Sequence, residues 1–239
     1  MGFPAARRQA YIPALIPPLI GSAVGRAVCA MPLPSFNPAD YPQQLASKVA
    51  RYKAEFAAFD LPEPEVFASE PQAYRLRAEF RMWHTGDRVD YAMFDPADPK
   101  TAIVLDTFAP AAPPIAAAMP RLRDALIASE PLKRKLFQVD FLATLSGELM
   151  ITLVYHRPLD EAWEAAAAGL AAELGVQLIG RSRKQKIVIG RDWLLEEFEL
   201  NGRRLRYQQI EGAFTQPNAG VNRQMLGWAC RQAEGLGGD

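Results

Sequence analysis

The chain has 239 residues, 49% of them hydrophobic and 23% charged, with a formal net charge of zero. This is ordinary globular composition, long enough for one large domain or two small ones. It excludes a global field that would draw the protein to nucleic acid or membrane, so any such affinity has to come from local patches.

Residues 1–30 hold Arg7, Arg8 and Arg26 and no acid. They imitate a targeting segment, with two arginines before an apolar run. Pro13, Pro17 and Pro18 interrupt that run, whereas a signal core is an unbroken helix former. No stretch reaches the roughly 20 apolar residues of a spanning helix. Met31 opens a segment that reads as an ordinary start. Residues 1–37 are therefore expected to be a disordered or non-native extension.

Asp40 and Pro42 open a helix, Asp40 as its cap and Pro42 in its first turn. Leu45, Val49, Tyr52, Phe56 and Phe59 recur at helical spacing, which predicts one buried face. Residues 61–64, Leu-Pro-Glu-Pro, end it. In residues 74–83 apolar Tyr74, Leu76, Ala78, Phe80 and Met82 alternate with Arg75, Arg77, Glu79 and Arg81. That is the period of a half-buried strand. Residues 89–94 read as its hairpin partner across Thr85-Gly86-Asp87. A turn over 95–99 leads to a short strand at 102–105.

Residues 115–129 read as a helix with Met119, Leu122, Leu126 and Ile127 inward. A basic run, 131–135, precedes a second hairpin, 136–145 with 149–156. Phe137 shares the parity of Val139 and Phe141, which places it in the core. Residues 160–174 form a helix stopped by Gly175 and burying Leu159, Trp163, Leu170 and Leu174. Short strands at 176–180 and 186–189 flank a basic loop, 181–184. Residues 193–200 and 203–210 form a third hairpin around Asn201-Gly202. A last helix, 217–234, carries Val221, Met225, Trp228 and Ala229 on one side and runs into the glycines at 235–238. Hairpins separated by helices predict an α+β fold with an antiparallel sheet of hairpins and packing helices.

The inventory for catalysis is thin. There is no G-x-x-x-x-G-K-[ST], no H-E-x-x-H and no complete G-x-G-x-x-G. Cys29 and Cys230 stand far apart and only His84 and His156 accompany them, so neither a disulfide framework nor a metal site is expected. This is the cysteine usage of a reduced, cytosolic protein. Cys230 reads as a small core residue, and each histidine as a structural or surface group at a strand end. Basic groups recur at 75/77/81, 133–135, 181–186 and 203–206, several of them at hairpin ends. If they converged beside aromatic rings they would suit RNA, whose unpaired bases stack on rings while phosphates meet Arg and Lys. Scattered solvated charge is the other reading, and spacing leaves both open.

An ordered set of motifs is more specific. Tyr74-Arg-x-Arg77-Ala-Glu-Phe-Arg81-x-Trp-His84, Lys135-Leu-Phe-Gln138, Leu153-x-Tyr-His156, Leu178-Ile-Gly-Arg181, Phe214-Thr-Gln-Pro-Asn218 and Asn222-x-Gln-Met-Leu226 resemble the bacterial tRNA (uracil-5-)-methyltransferases, from about Pro38 to Asp239. The resemblance implies transfer of a methyl group from S-adenosyl-L-methionine to C5 of a uridine in the tRNA T-loop. It implies an α+β RNA-binding domain over 38–210 and, over 211–239, the start of a truncated Rossmann-like methyltransferase domain. By motif, Glu79 and Arg81 lie near the RNA, Phe137 and His156 surround a flipped-out uridine, and Gln216 binds the methyl donor. The family's nucleophilic cysteine and its base match nothing in residues 1–239, so no catalytic residue is assigned. The resemblance further implies tRNA as partner, a cytoplasmic monomer, no membrane and no metal, and predicts no turnover by this polypeptide alone. A stand-alone RNA-binding module without enzymatic activity is the alternative.

Overall fold

The structure is a computed structural model and describes residues 36–95 and 98–234. Most of the extension expected over 1–37, with Cys29 in it, and the glycines at 235–238 lie outside the described residues.

A 3-10 turn, Pro38–Asp40, leads into α1, Tyr41–Glu55. The side chain of Asn37, not Asp40, caps this entry by accepting from the Ala39 amide. The alternating segment forms β1, Arg77–Thr85, followed by β2, Arg88–Asp95, and β3, Asp98–Leu105. Then come α2, Pro113–Ala128, the short α3, Glu130–Lys133, and the hairpin β4, Leu136–Ala143, with β5, Leu149–Tyr155. Helix α4, Glu161–Leu174, connects to β6, Gln177–Ser182, and β7, Gln185–Ile189. The hairpin β8, Trp193–Leu200, with β9, Arg203–Ile210, and helix α5, Ala219–Ala233, complete the described chain. Asn218 caps α5 by accepting from the Val221 amide, so the helix starts two residues after the expected Pro217.

Seven strands form one sheet in the order β3-β2-β1-β4-β5-β6-β7. All its pairs are antiparallel except β5 with β6, which run parallel. The fully antiparallel sheet expected from the hairpins is corrected at this one pair. A parallel neighbour needs a crossover, and α4 provides it. Asp160 starts α4 by accepting from the Trp163 amide, and Gly175, with φ of 69°, ends it.

One face of the sheet is the core. Ala78, Phe80 and Met82 of β1 point there with Val139, Phe141, Ile151 and Leu153, and α2 and α4 cover them with Ile115, Leu122, Leu126 and Trp163. The other face carries Arg77, Glu79 and Arg81. At one end of that face Met150 and Ile179, with Leu142 beside them, are covered by Leu194 of the β8–β9 hairpin. Towards the other end the face is open.

Helix α1 departs from the sequence reading. None of its residues is buried, and Tyr52, 43% exposed, and Phe59, 65% exposed just after it, meet solvent along the apolar stripe. Cys230 is likewise exposed rather than a core residue.

Candidate functional site

The open face gathers side chains from three strands. In the β1–β4 register Arg77 lies opposite Leu142, Glu79 opposite Asp140 and Arg81 opposite Gln138. On β4's other flank Asp140 pairs with Thr152 and Gln138 with Val154. These residues share one side of the pleat because side chains alternate along each strand.

Phe137 joins them through an irregularity. Leu136 pairs with Tyr155 and Gln138 with Val154, so Phe137 has no partner across the ladder. This is a β-bulge, which inserts one residue and shifts the parity of everything before it. Leu136 and Val139 are therefore both fully buried, and Phe137 is turned onto the open face. The core position expected for Phe137 from local parity is thus corrected. The chain enters the bulge through Lys135, whose φ is 55°. Such a left-handed backbone is uncommon for a residue with a side chain. It is held from both sides: the His156 amide donates to the Lys135 carbonyl at 3.1 Å, and the His84 ring nitrogen Nε2 lies 2.7 Å from the Leu136 carbonyl.

The result is a three-layer stack. The Arg81 guanidinium carbon lies 3.8 Å from the centroid of the Phe137 ring. On the other side the His156 ring stacks on Phe137, with centroids 4.0 Å apart and planes inclined by 26°. His156 itself is exposed, so its outer face is a free aromatic platform. Met82, His84, Lys135, Leu136, Phe137 and His156 line a shallow cavity of about 350 Å³ here. The two histidines, equivalent in sequence, thus differ: His84 is tied to backbone and His156 is presented.

Behind the stack lies a polar layer, of which sequence reasoning singled out Glu79 but not Asp140 or Arg157. Gln138 donates to Asp140 at 2.7 Å, which fixes the amide. Burial pushes the Asp140 carboxyl up to about 6; the Gln138 bond opposes this and the Glu79 charge adds to it. Glu79 accepts two bonds from the Arg77 guanidinium, at 2.9 and 3.1 Å. Arg181 grips Glu211 through both carboxylate oxygens, and that bond holds Glu211 below the usual carboxylate range. Arg157, buried next to His156, donates to the carbonyls of Pro131, Arg134 and Pro158. It clamps the basic run to the end of β5 and so ties together the segments that carry Phe137 and His156. An alternating pattern gives no sign that Arg157 or Asp140 is sheltered.

Gln216 lies elsewhere. The segment before α5 runs beside the start of β1, with the Leu76 amide donating to the Pro217 carbonyl and Arg77 to that of Ala213. Leu76 and Arg81 are five residues apart, about 17 Å along a strand. Gln216 is exposed, its neighbour Phe214 is 80% exposed, and the Thr215 hydroxyl between them is buried without a partner among the described residues. Arg81, Phe137 and His156 are thus brought together, with Glu79 one pleat away on β1, and Gln216 stands at the other end of that strand.

Comparison with known proteins gives this arrangement a context. The sequence model of the family described as tRNA (Uracil-5-)-methyltransferase matches residues 40–239. A tRNA/tmRNA (uracil-C(5))-methyltransferase of Azoarcus sp. (strain BH72) is 72% identical over 209 residues, which are 87% of this chain and 57% of that protein. Its counterpart in Dechloromonas aromatica (strain RCB) is 66% identical over 209 residues, 87% of this chain and 58% of that protein. The chain thus spans a little over half the length of these curated relatives. The crystal structure of Pyrococcus abyssi tRNA (uracil-54, C5)-methyltransferase in complex with S-adenosyl-L-homocysteine matches with a TM-score of 0.55. That match covers 82% of this chain and 49% of the other, at 15% identity, and is a likeness of fold.

Proposed function

The chain belongs to the tRNA (uracil-5-)-methyltransferase family, and from that premise we propose that residues 38–210 hold tRNA for methylation of a T-loop uridine at C5. Residues 211–239 then lead into a Rossmann-like unit that binds the methyl donor. The observation that carries this reading is the stack of Arg81, Phe137 and His156 on the open face of the sheet. An exposed ring beside cations is what an unpaired nucleotide needs.

C5 of a uracil is inaccessible while the base stays in its stack, so the base has to be extruded. The outer face of His156 offers the first platform. Phe137 has both faces covered, and a base can reach it only by displacing a neighbour. Stacking of a base on an aromatic side chain is worth about 1–3 kcal/mol. An exposed cation–π contact is worth about 0.5–1 kcal/mol. The exchange therefore favours the base over Arg81, and the released guanidinium is free to meet a phosphate with its fixed fork of donors. Glu79, held by Arg77, keeps a carboxylate beside that route and can accept from a base N–H or a ribose hydroxyl.

Gln216 fits one edge of a donor site. It is exposed and makes no side-chain hydrogen bond among the described residues, so its amide is free to donate and accept at once. S-adenosyl-L-methionine bound there would supply the methyl group. The part proposed for these residues is tRNA binding, in the cytoplasm and as a monomer, and no turnover is expected of the 239-residue polypeptide. The test is to incubate it with an unmodified tRNA transcript and methyl-labelled donor. Salt-dependent tRNA binding without label transfer is expected. Label transfer by this polypeptide, or affinity no greater than for a plain RNA duplex, contradicts the proposal.

A further inference from the structure

Most Lys and Arg side chains among the described residues meet a carboxylate or donate to a backbone carbonyl. Lys135, Arg183 and Lys184, all three exposed, do neither, a property they share with Lys48, Arg51, Arg81 and Arg203. The topology sets them at one end of the sheet. Lys135 stands next to His156, its carbonyl accepting from the His156 amide. Strands β5 and β6 run parallel with Val154 beside Arg181, so they leave the sheet in the same direction and bring Arg183 level with His156. Ser182 pairs with Gln185, which makes Arg183 and Lys184 the tip of the β6–β7 turn. That turn is anchored: the Gln185 side chain accepts from the Leu159 amide and donates to the Leu159 carbonyl. Lys135 and the turn lie two strand spacings apart, roughly 10 Å, with the exposed His156 ring between them.

We propose that Lys135, Arg183 and Lys184 form a phosphate track that grips the RNA backbone on both sides of the nucleotide held at His156. The inference rests on the RNA reading given above and assigns it three residues. An acidic peptide would satisfy the cations but leave the ring platform between them without a partner. An RNA strand satisfies both, because its phosphates flank each base. The nearby carboxylates do not cancel the track. Asp160 is engaged by Arg157 and Arg134, and Asp192 by Lys186.

The test measures binding of a tRNA T-arm stem–loop between 50 and 300 mM salt. It compares wild type, the triple variant K135Q/R183Q/K184Q and the charge-matched control K48Q/R51Q/R203Q. Removing one cation from a phosphate lowers the slope of log affinity against log salt by about 0.7–0.9, so the triple variant is expected to show a slope lower by about 2. Its affinity at low salt is expected to fall at least tenfold, with the control within about twofold of wild type. Equal slopes for the two triple variants overturn the track while leaving the RNA reading intact. Failure of the wild type to bind overturns the RNA reading itself and the track with it.

Discussion

The Arg81 guanidinium lies 3.8 Å over one face of Phe137 while His156 covers the other, so a ring on an open face is closed by its own neighbours. Arg81 thus serves two roles, as a planar cover and as a charge. Arg81→Lys keeps the charge and loses the plane. It is expected to weaken RNA binding about three- to tenfold, through loss of the bidentate bond to a phosphate, with an unchanged salt slope. Arg81→Gln is expected to lower the slope by a further 0.7 or so. Filter binding at several salt concentrations separates the two, and wild-type affinity for Arg81→Lys would show that the plane is irrelevant.

Asp140 gives the fold a pH dependence. Its folded-state value, about 6, lies above the ordinary 3.8. The folded form therefore holds the proton more tightly than the unfolded one, and stability falls as pH rises from about 4 to about 6. Asp140→Asn removes that cost. It is expected to change nothing at pH 4 and to stabilise at pH 7.5 by on the order of 1–2 kcal/mol, reduced from the full shift because the group is partly exposed. Urea melts at both pH values check this; equal effects at the two would contradict it.

Gly180 is required by a close approach. A Cβ at this position would overlap Cη2 of Trp163 and stand 2.7 Å from Cδ1 of Leu159. Trp163 is fully buried between α4 and the sheet and cannot yield. Gly180→Ala is expected to cost about 1–3 kcal/mol by overpacking. A thermal melt should show a drop of several degrees, while Gly169→Ala, with open space at its Cβ, leaves the midpoint unchanged or raised.

Glu196 fastens the β8–β9 hairpin to the sheet. It is buried, and burial raises its carboxyl above the ordinary range. It accepts from the amides of Leu145 and Glu197 and from the Gln209 side chain. Glu196→Ala leaves buried donors unpaired and is expected to cost about 2–4 kcal/mol. Glu196→Gln keeps an acceptor and is expected to cost less than half as much. Hydrogen exchange should show the 144–148 turn and both hairpin strands opening together in Glu196→Ala.

The sequence made β1 legible because one of its faces lies wholly in the core. Leu76, Ala78, Phe80 and Met82 are all buried, as their alternation with charge requires. Helix α4 was legible for a similar reason, with Asp160 at one end and Gly175 at the other. Phe137 was not, because a bulge is a single unpaired residue and leaves no mark in an apolar run. The parallel β5–β6 pair was hidden by two hairpins that suggested only antiparallel neighbours. The stripe on α1 was visible, but periodicity reports an apolar face and not what covers it. Cys230 misled in the same way, since a small apolar residue in a helix says little about which side it takes. The family motifs set Phe137 and His156 around one uridine and Arg81 near the RNA; only the structure shows that the three side chains touch.

The most direct test of the account is whether Phe137 holds an unstacked base. The measurement compares a T-arm stem–loop with the same RNA closed into a continuous duplex, against wild type and Phe137→Ala. Wild type is expected to prefer the loop at least tenfold, and Phe137→Ala to lose that preference, in line with about 1–3 kcal/mol per stacked base. Phe137 lies outside the buried core cluster, so the variant is expected to remain folded. A loop preference that survives in Phe137→Ala, or its absence in wild type, would contradict the assignment of this stack as the place where the uridine is held.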